Sequence, residues 1–253
     1  RGGVGGGWLP PAGAPAGTTP SVHIAASTGL KKIQMQLENF AANTNFAWTQ
    51  VLGDGESEVK GEMQFKQGSV QARGLMDLRF GNGLSKAELT VDNEAQNLVM
   101  NIVPRNIASL TTKILSDDPA ASSTVNFSPT GVAGGSNINF EMVSAAQSVT
   151  LGGTLNGGAG MDEVLYNFTS LVNARVNANV SANTFAGMDK INLAFKGLPG
   201  TAISLAGAVN AGADDDEALL LTEGITTGTI RLDCGPGVDK GIGFITTVGC
   251  ELN

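Results

Sequence analysis

Four short segments in the last hundred residues share a Gly-x-Asp core: Gly160-Met161-Asp162, Gly187-Met188-Asp189, Gly212-Ala213-Asp214 and Gly237-Val238-Asp239. They recur at intervals of 27, 25 and 25 residues. A turn that returns at a near-constant interval, with short β-prone runs between copies, is what a chain produces when it winds in circuits and each circuit stacks on the last. Glycine suits a corner where φ turns positive, and an aspartate there can accept nearby backbone N–H groups or hold a cation. The repeat predicts a parallel β-solenoid over residues 119–253 with about 25 residues per coil. It also predicts that Asp162, Asp189, Asp214 and Asp239 align along one edge.

The run Gly157-Gly158-Ala159-Gly160-Met161-Asp162-Glu163-Val164 follows the pattern G-G-x-G-x-D-x-(apolar), and Cys234-Gly235-Pro236-Gly237-Val238-Asp239 repeats part of it. In these residues the C-terminal half resembles the haemolysin-type calcium-binding repeats of secreted bacterial proteins. The resemblance implies calcium as a ligand, a cation role for Asp162 and Asp239, and a lesser one for Asp189 and Asp214, whose preceding glycine pattern is incomplete. Carboxylates stacked about 4.8 Å apart must be well solvated or share a cation, and the run Asp214-Asp215-Asp216-Glu217 adds Asp215 and Asp216 to the candidates. The chain departs from the family in offering one degenerate copy per 25 to 27 residues, where a calcium roll needs consecutive nonapeptides.

The N-terminal half reads differently. Residues 1–20, RGGVGGGWLPPAGAPAGTTP, are a Gly/Pro-rich tail around Trp8 and Leu9 with no core of its own. It is expected to dock on a neighbouring subunit or to pack back through Trp8. From Lys32 onward apolar and polar residues alternate: Ile33, Met35 and Leu37, then Val59, Met63 and Phe65, then Ala87, Leu89 and Val91, then Leu98, Met100 and Ile102. This is the period of half-buried strands. With turn residues at Gln67-Gly68 and Gly81-Asn82-Gly83, and Pro104 expected to stop the pairing, residues 21–118 are predicted to form an antiparallel β-meander. The stretch from Met63 through Ala72-Arg73, Leu89 and Leu98 to Pro104 resembles the curved meanders of periplasmic lipoprotein-carrier-like proteins over about fifty residues. The domain is expected to end in one short helix, capped by Asn106, with Ile107, Leu110 and Ile114 on one face and Asp117-Asp118-Pro119 after it. The predicted class is all-β.

Bulk properties narrow the function. Thirty-five glycines and 15% charged residues depart from an ordinary enzyme, while 42% hydrophobic residues exclude a disordered chain. A net charge of −8 with no basic cluster argues against nucleic acid as a partner. No apolar run approaches the roughly 20 residues of a membrane-spanning helix. The chain opens at Arg1, as it would after removal of a secretory signal, after proteolysis, or as part of a longer sequence. Cys234 and Cys250 are spaced for a local disulfide across a strand-turn-strand, with two unrelated buried thiols as the alternative.

Catalytic signatures are sparse. His23, the only histidine, lies in the β-prone run SVHIAAS with no signature nucleophile beside it. No zinc, Walker or dinucleotide motif occurs. A carboxylate pair such as Asp215 and Asp216 is the one arrangement that would suit a polysaccharide-cleaving solenoid. The expectation is a non-enzymatic, secreted structural or adhesive protein that assembles with copies of itself into a filament, sheath or surface layer. The rivals are a carbohydrate-binding or carbohydrate-active solenoid and a periplasmic carrier of a hydrophobic ligand.

Overall fold

The computed structural model describes residues 3–8, 21–26, 31–39, 43–66, 70–116 and 120–250; at 3–8 and 21–26 the description is of the backbone. Every regular element among them is a strand, and no helix is long and apolar enough to cross a membrane. The strands form one parallel β-solenoid of about 26 residues per turn.

The chain passes alternately between two sheets. The first sheet runs, neighbour to neighbour, Gly3–Trp8, Lys31–Asn39, Ser57–Phe65, Ser85–Asn93, Ser109–Ser116, Asn137–Ser144, Glu163–Ser170, Lys190–Lys196, Glu217–Glu223 and Lys240–Ile242. The second begins Ser21–Ala26, Asn43–Leu52, Gln71–Arg79, Asn97–Ile107, Ser122–Phe127, Ser148–Asn156 and Arg175–Asn183, and ends through Arg231–Asp233 at Thr246–Val248. Apart from second-sheet strands broken in two, such as Ala202–Ala206 and Ala208–Asn210, strands consecutive in sequence therefore lie in different sheets. Each pairs instead with the strand one circuit away, as Ser57–Phe65 does with Lys31–Asn39 and Ser85–Asn93.

The expected antiparallel meander is thus corrected: the N-terminal strands pair in parallel, like those of the predicted solenoid. Alternation has the same period in both arrangements, so it reports which side chains point inward and not which strand lies alongside. Gly81-Asn82-Gly83 is a corner between sheets, where a Cβ at Gly81 would fall 2.5 Å from the Gly53 carbonyl carbon one circuit below. Pro104 does not stop its strand but pairs with Leu78 on one side. On the other side it faces the break between Ser122–Phe127 and Thr130, where its missing N–H leaves no ladder bond unmade.

The short helix is corrected as well, because residues 109–116 form a strand. Leu110 and Ile114 are four residues apart, which satisfies both a helical period and an alternation of two. Thr112 between them is fully buried, and this settles the period as two. Asn106 turns the corner with φ 58°, and its amide donates to the carbonyls of Phe80 and Gly81 at 3.1 and 2.9 Å. Pairing continues across the boundary expected at 118/119: Asn97–Ile107 pairs with Ser122–Phe127, and Ser109–Ser116 with Asn137–Ser144.

Inward side chains from both sheets fill the interior. Phe127 packs across from Phe140, and Phe140, Tyr166 and Phe195 follow one another along successive coils, with ring centroids 4.7, 4.4 and 5.8 Å apart. Toward the N-terminal end Trp48, Met63, Phe65 and Met76 occupy the same space. Cys234 and Cys250 are disulfide-bonded, tying the buried Cys234 after Arg231–Asp233 to the turn after Thr246–Val248.

Candidate functional site

One corner carries the chain's unusual chemistry. The strand registers of the first sheet place Ser57, Ser85, Ala108, Ser136, Asp162, Asp189, Asp216 and Asp239 in one column, one residue per coil. Each except Ala108 is buried, and the four aspartates are only 1 to 4% exposed. Burial of four acids at successive coils would be costly unless the fold supplied donors.

The backbone supplies them. Asp162 Oδ1 accepts the Ser136 N–H of the preceding coil at 2.6 Å, and its Oδ2 accepts the Gly158 N–H of its own turn at 2.8 Å. Asp189 then accepts the Asp162 N–H at 2.7 Å, Asp216 the Asp189 N–H at 2.8 Å, and Asp239 the Asp216 N–H at 2.9 Å. The carbonyl of each rung is used in turn by the following coil: Lys190 donates to Asp162, Glu217 to Asp189 and Lys240 to Asp216. Each carboxylate therefore closes the hydrogen-bond ladder at a corner where strand pairing has not yet begun.

The sequence repeat locates this corner but misframes its third coil. Asp162, Asp189 and Asp239 stand in register, and the third rung is Asp216, not Asp214. Asp214 occupies the place that Gly160, Gly187 and Gly237 hold in the other coils. Its φ is +88°, its carboxylate accepts the Gly187 N–H at 3.1 Å, and its carbonyl oxygen lies 1.9 Å from where a Cβ on Gly237 would stand. The true frame of this coil is Asp214-Asp215-Asp216, with aspartate standing where the repeat has glycine. Asn and Asp are the residues that best tolerate positive φ after glycine. Asp215 is exposed and accepts the Val238 N–H at 2.9 Å. Asp215 and Asp216 thus face opposite sides of the corner and make no paired-carboxylate centre.

The second carboxylate oxygens separate the rungs. Asp189, Asp216 and Asp239 each bury an Oδ2 with no hydrogen-bond partner, although the Thr184 hydroxyl lies beside Asp189 and favours its charged form. Burial is the main cause pushing the Asp162, Asp189 and Asp216 carboxyls above the usual range, and it takes Asp216 up to about 7. Two charges one strand spacing apart repel by about 3 kcal/mol at an effective dielectric of 20, a second push in the same direction.

Calcium takes six to eight oxygens. The ladder presents one carboxylate per coil with an oxygen already committed to backbone, and among the described residues no three His, Cys, Asp or Glu side chains gather to hold an ion. These donors fall short of a calcium cage. Gly3–Trp8 pairs in parallel with Lys32–Leu37 of its own chain, so the backbone at Trp8 belongs to the first sheet; Leu9 lies outside the described residues.

Two signals that sequence reading passed over become visible. The serines Ser57, Ser85 and Ser136 continue the aspartate column at the same spacing but share no motif with it. The outer faces also differ between sheets. The first carries Lys/Glu pairs between coils, Lys32–Glu58 at 2.9 Å and Lys60–Glu88 at 2.7 Å among them. The second has ion pairs of Arg with Asp, Arg79–Asp77 at 3.0 Å among them, and over its middle coils presents uncharged columns such as Thr124, Thr150, Asn177 and Ser204. Compared with known proteins, the chain matches no family model, no curated protein and no solved structure.

Proposed function

We propose that this chain is a non-enzymatic structural or adhesive protein of an extracellular surface that assembles by adding coil to coil. The observation that carries the reading is the last described coil. Among the described residues its short strands Lys240–Ile242 and Thr246–Val248 each pair on one side only, and so does Ile225–Gly228 beside them. Ile225, Ile242, Ile245 and Val248 are exposed there, Ile245 to 83%. Unpaired N–H and C=O groups beside exposed apolar side chains are the chemistry by which strands add to strands. The packed aromatic interior favours a rigid rod over a carrier with a ligand cavity. The disulfide supports an oxidising compartment. Because Gly3–Trp8 is already a strand of its own sheet, the joint is assigned to edge-to-edge stacking and not to a donated tail.

Analytical ultracentrifugation and electron microscopy across a concentration series test this reading. Wild type should form concentration-dependent oligomers or fibres, and Ile245→Lys with Val248→Lys should abolish them. A wild type that stays monomeric to its highest soluble concentration overturns the proposal.

A second reading has one observation in its favour. The uncharged columns of the second sheet adjoin an open groove of about 700 Å³, crossing several coils, lined by Gln147, Ser148, Asn173 and Arg175 among others. Hydroxyl and amide groups at regular spacing suit a neutral polysaccharide laid along the rod. Pull-down on insoluble glycans, with Asn173→Ala and Gln147→Ala as controls, separates adhesion to sugar from self-assembly.

A further inference from the structure

We propose that the carboxylate ladder is a proton-binding column: in mild acid its aspartates hold at least one proton among them, centred on Asp216, and the C-terminal coils loosen when it is withdrawn. The geometry argues for this before any titration is considered. Four carboxyl groups stand one per coil in a single buried column, each joined to the next through a backbone N–H. Asp216 and Asp239 each bury an oxygen that no donor reaches, and the buried second oxygen of Asp189 has only the Thr184 hydroxyl nearby. An ionised oxygen in that position is the least favourable state it can adopt, and a proton removes the charge.

The surroundings offer no cationic relief. The charged groups acting on Asp216 are Asp189, Asp239 and Asp214, all acids. Asp189 feels Asp214, and Asp162 feels Asp189. The remaining polar neighbours are the backbone donors of Ser136, Gly158, Asp162, Asp189 and Asp216 and the hydroxyls of Ser136 and Thr184. Asp216 lies between two rungs with Asp214 beside it, and so meets more like charge than its neighbours. Its carboxyl is pushed up to about 7, with burial the first cause and the three acids behind it.

The direction of the pH effect follows. A carboxyl raised in the folded state binds its proton more tightly there than in the unfolded chain. Its contribution to stability is therefore complete below the unfolded value of 3.8 and is lost as pH rises through about 7. The ladder tightens the last four coils in mild acid and relaxes them in mild alkali, with no change in covalent structure.

Two measurements in chelator, which removes any cation, test the proposal. In thermal unfolding between pH 5 and 8, wild type should lose melting temperature as pH rises. Asp216→Asn, which keeps an oxygen for the Asp189 N–H and places an uncharged amide at the orphan position, should lose less and overtake wild type at pH 8. Carbon-13 NMR of Asp-labelled wild type should find one carboxyl titrating with a midpoint near 7. If Asp216→Asn does not fold, the NMR titration decides alone. Full ionisation of every aspartate carboxyl by pH 5, or a variant with the same pH slope as wild type, overturns it.

Discussion

The inward corner of the first sheet is a hydroxyl column over its first coils and a carboxylate column over its last. Ser85 accepts the Ala108 N–H of the following coil at 2.9 Å, and Ser136 accepts the Val132 N–H of its own turn at 3.0 Å. Asp162 makes that same bond within its turn, to Gly158, and in addition reaches back to Ser136. A hydroxyl is short and holds one amide, while a carboxylate is long enough, with two oxygens, to bridge its own turn and its neighbour. The serine coils are neutral and insensitive to pH at this corner. The aspartate coils have an added bond between coils at the cost of buried charge.

Removing the bridge where it is complete should produce the largest difference between halves. Asp162→Ala strands the buried Ser136 and Gly158 amides, and urea unfolding should show a loss of about 4 kcal/mol. Ser57→Ala deletes a hydroxyl with no partner and should stay within about 0.5 kcal/mol of wild type. Equal losses would mean that the carboxylate bridge adds nothing.

Reducing the disulfide, which spans a sequence separation of 16, should cost about 3 kcal/mol and fall on the aspartate half alone. Hydrogen exchange with and without reductant should show faster exchange in residues 231–250 and unchanged protection in 57–93. Exchange that accelerates evenly along the rod would mean the coils unfold as one unit rather than as a stacked array.

A smaller contrast tests the corner glycines. A Cβ on Gly157 would lie 2.2 Å from Asp162 Oδ2, and one on Gly131 would lie 2.0 Å from Ser136 Oγ. The Ser136 hydroxyl accepts one amide and has the Asp162 carboxylate as its other neighbour, but its single oxygen yields more easily than the Asp162 carboxylate, which backbone amides pin at both oxygens. Gly157→Ala should therefore cost about 2 kcal/mol and Gly131→Ala about 1. The reverse order in denaturant midpoints would show that the carboxylate is the more mobile group.

The smallest effect separates the halves by sign. Glu88, on the outer face of the serine half, is held down to about 2 by hydrogen bonds from Lys60 and Lys86. Its contribution is present above the unfolded value of 4.5 and is lost as pH falls toward 2, opposite to the ladder. The group is half-exposed and its ion pairs are screened by solvent, so Glu88→Gln should change stability at pH 7 by less than about 0.5 kcal/mol. The same variant should flatten the acid limb of the serine half as followed by hydrogen exchange.

How far the fold was legible can be argued from a few residues. Ile33, Met35 and Leu37, and equally Val59 to Phe65, declare their burial by alternation, because the period of a strand is local. Leu110, Thr112 and Ile114 do not, since a buried threonine between two apolar residues four apart mimics a helix face. Gly-Met-Asp at 160–162 and 187–189 marks a corner in plain text. The third rung is hidden because Asp214 stands in a glycine's place, and Gly212 draws the eye two residues too early.

The sequence by itself determined that the chain is mostly β, that its later part winds in coils, read at about 25 residues each where the structure has about 26, and that aspartates sit at the corners with Cys234 and Cys250 close enough to bridge. Each of these depends on spacing along the chain. Only the tertiary structure decided that the N-terminal strands pair in parallel, that Asp216 and not Asp214 completes the ladder, and that Ser57, Ser85 and Ser136 begin the same column. These depend on which residue lies one circuit away, and a single insertion or deletion in a corner shifts that partner without altering any local pattern.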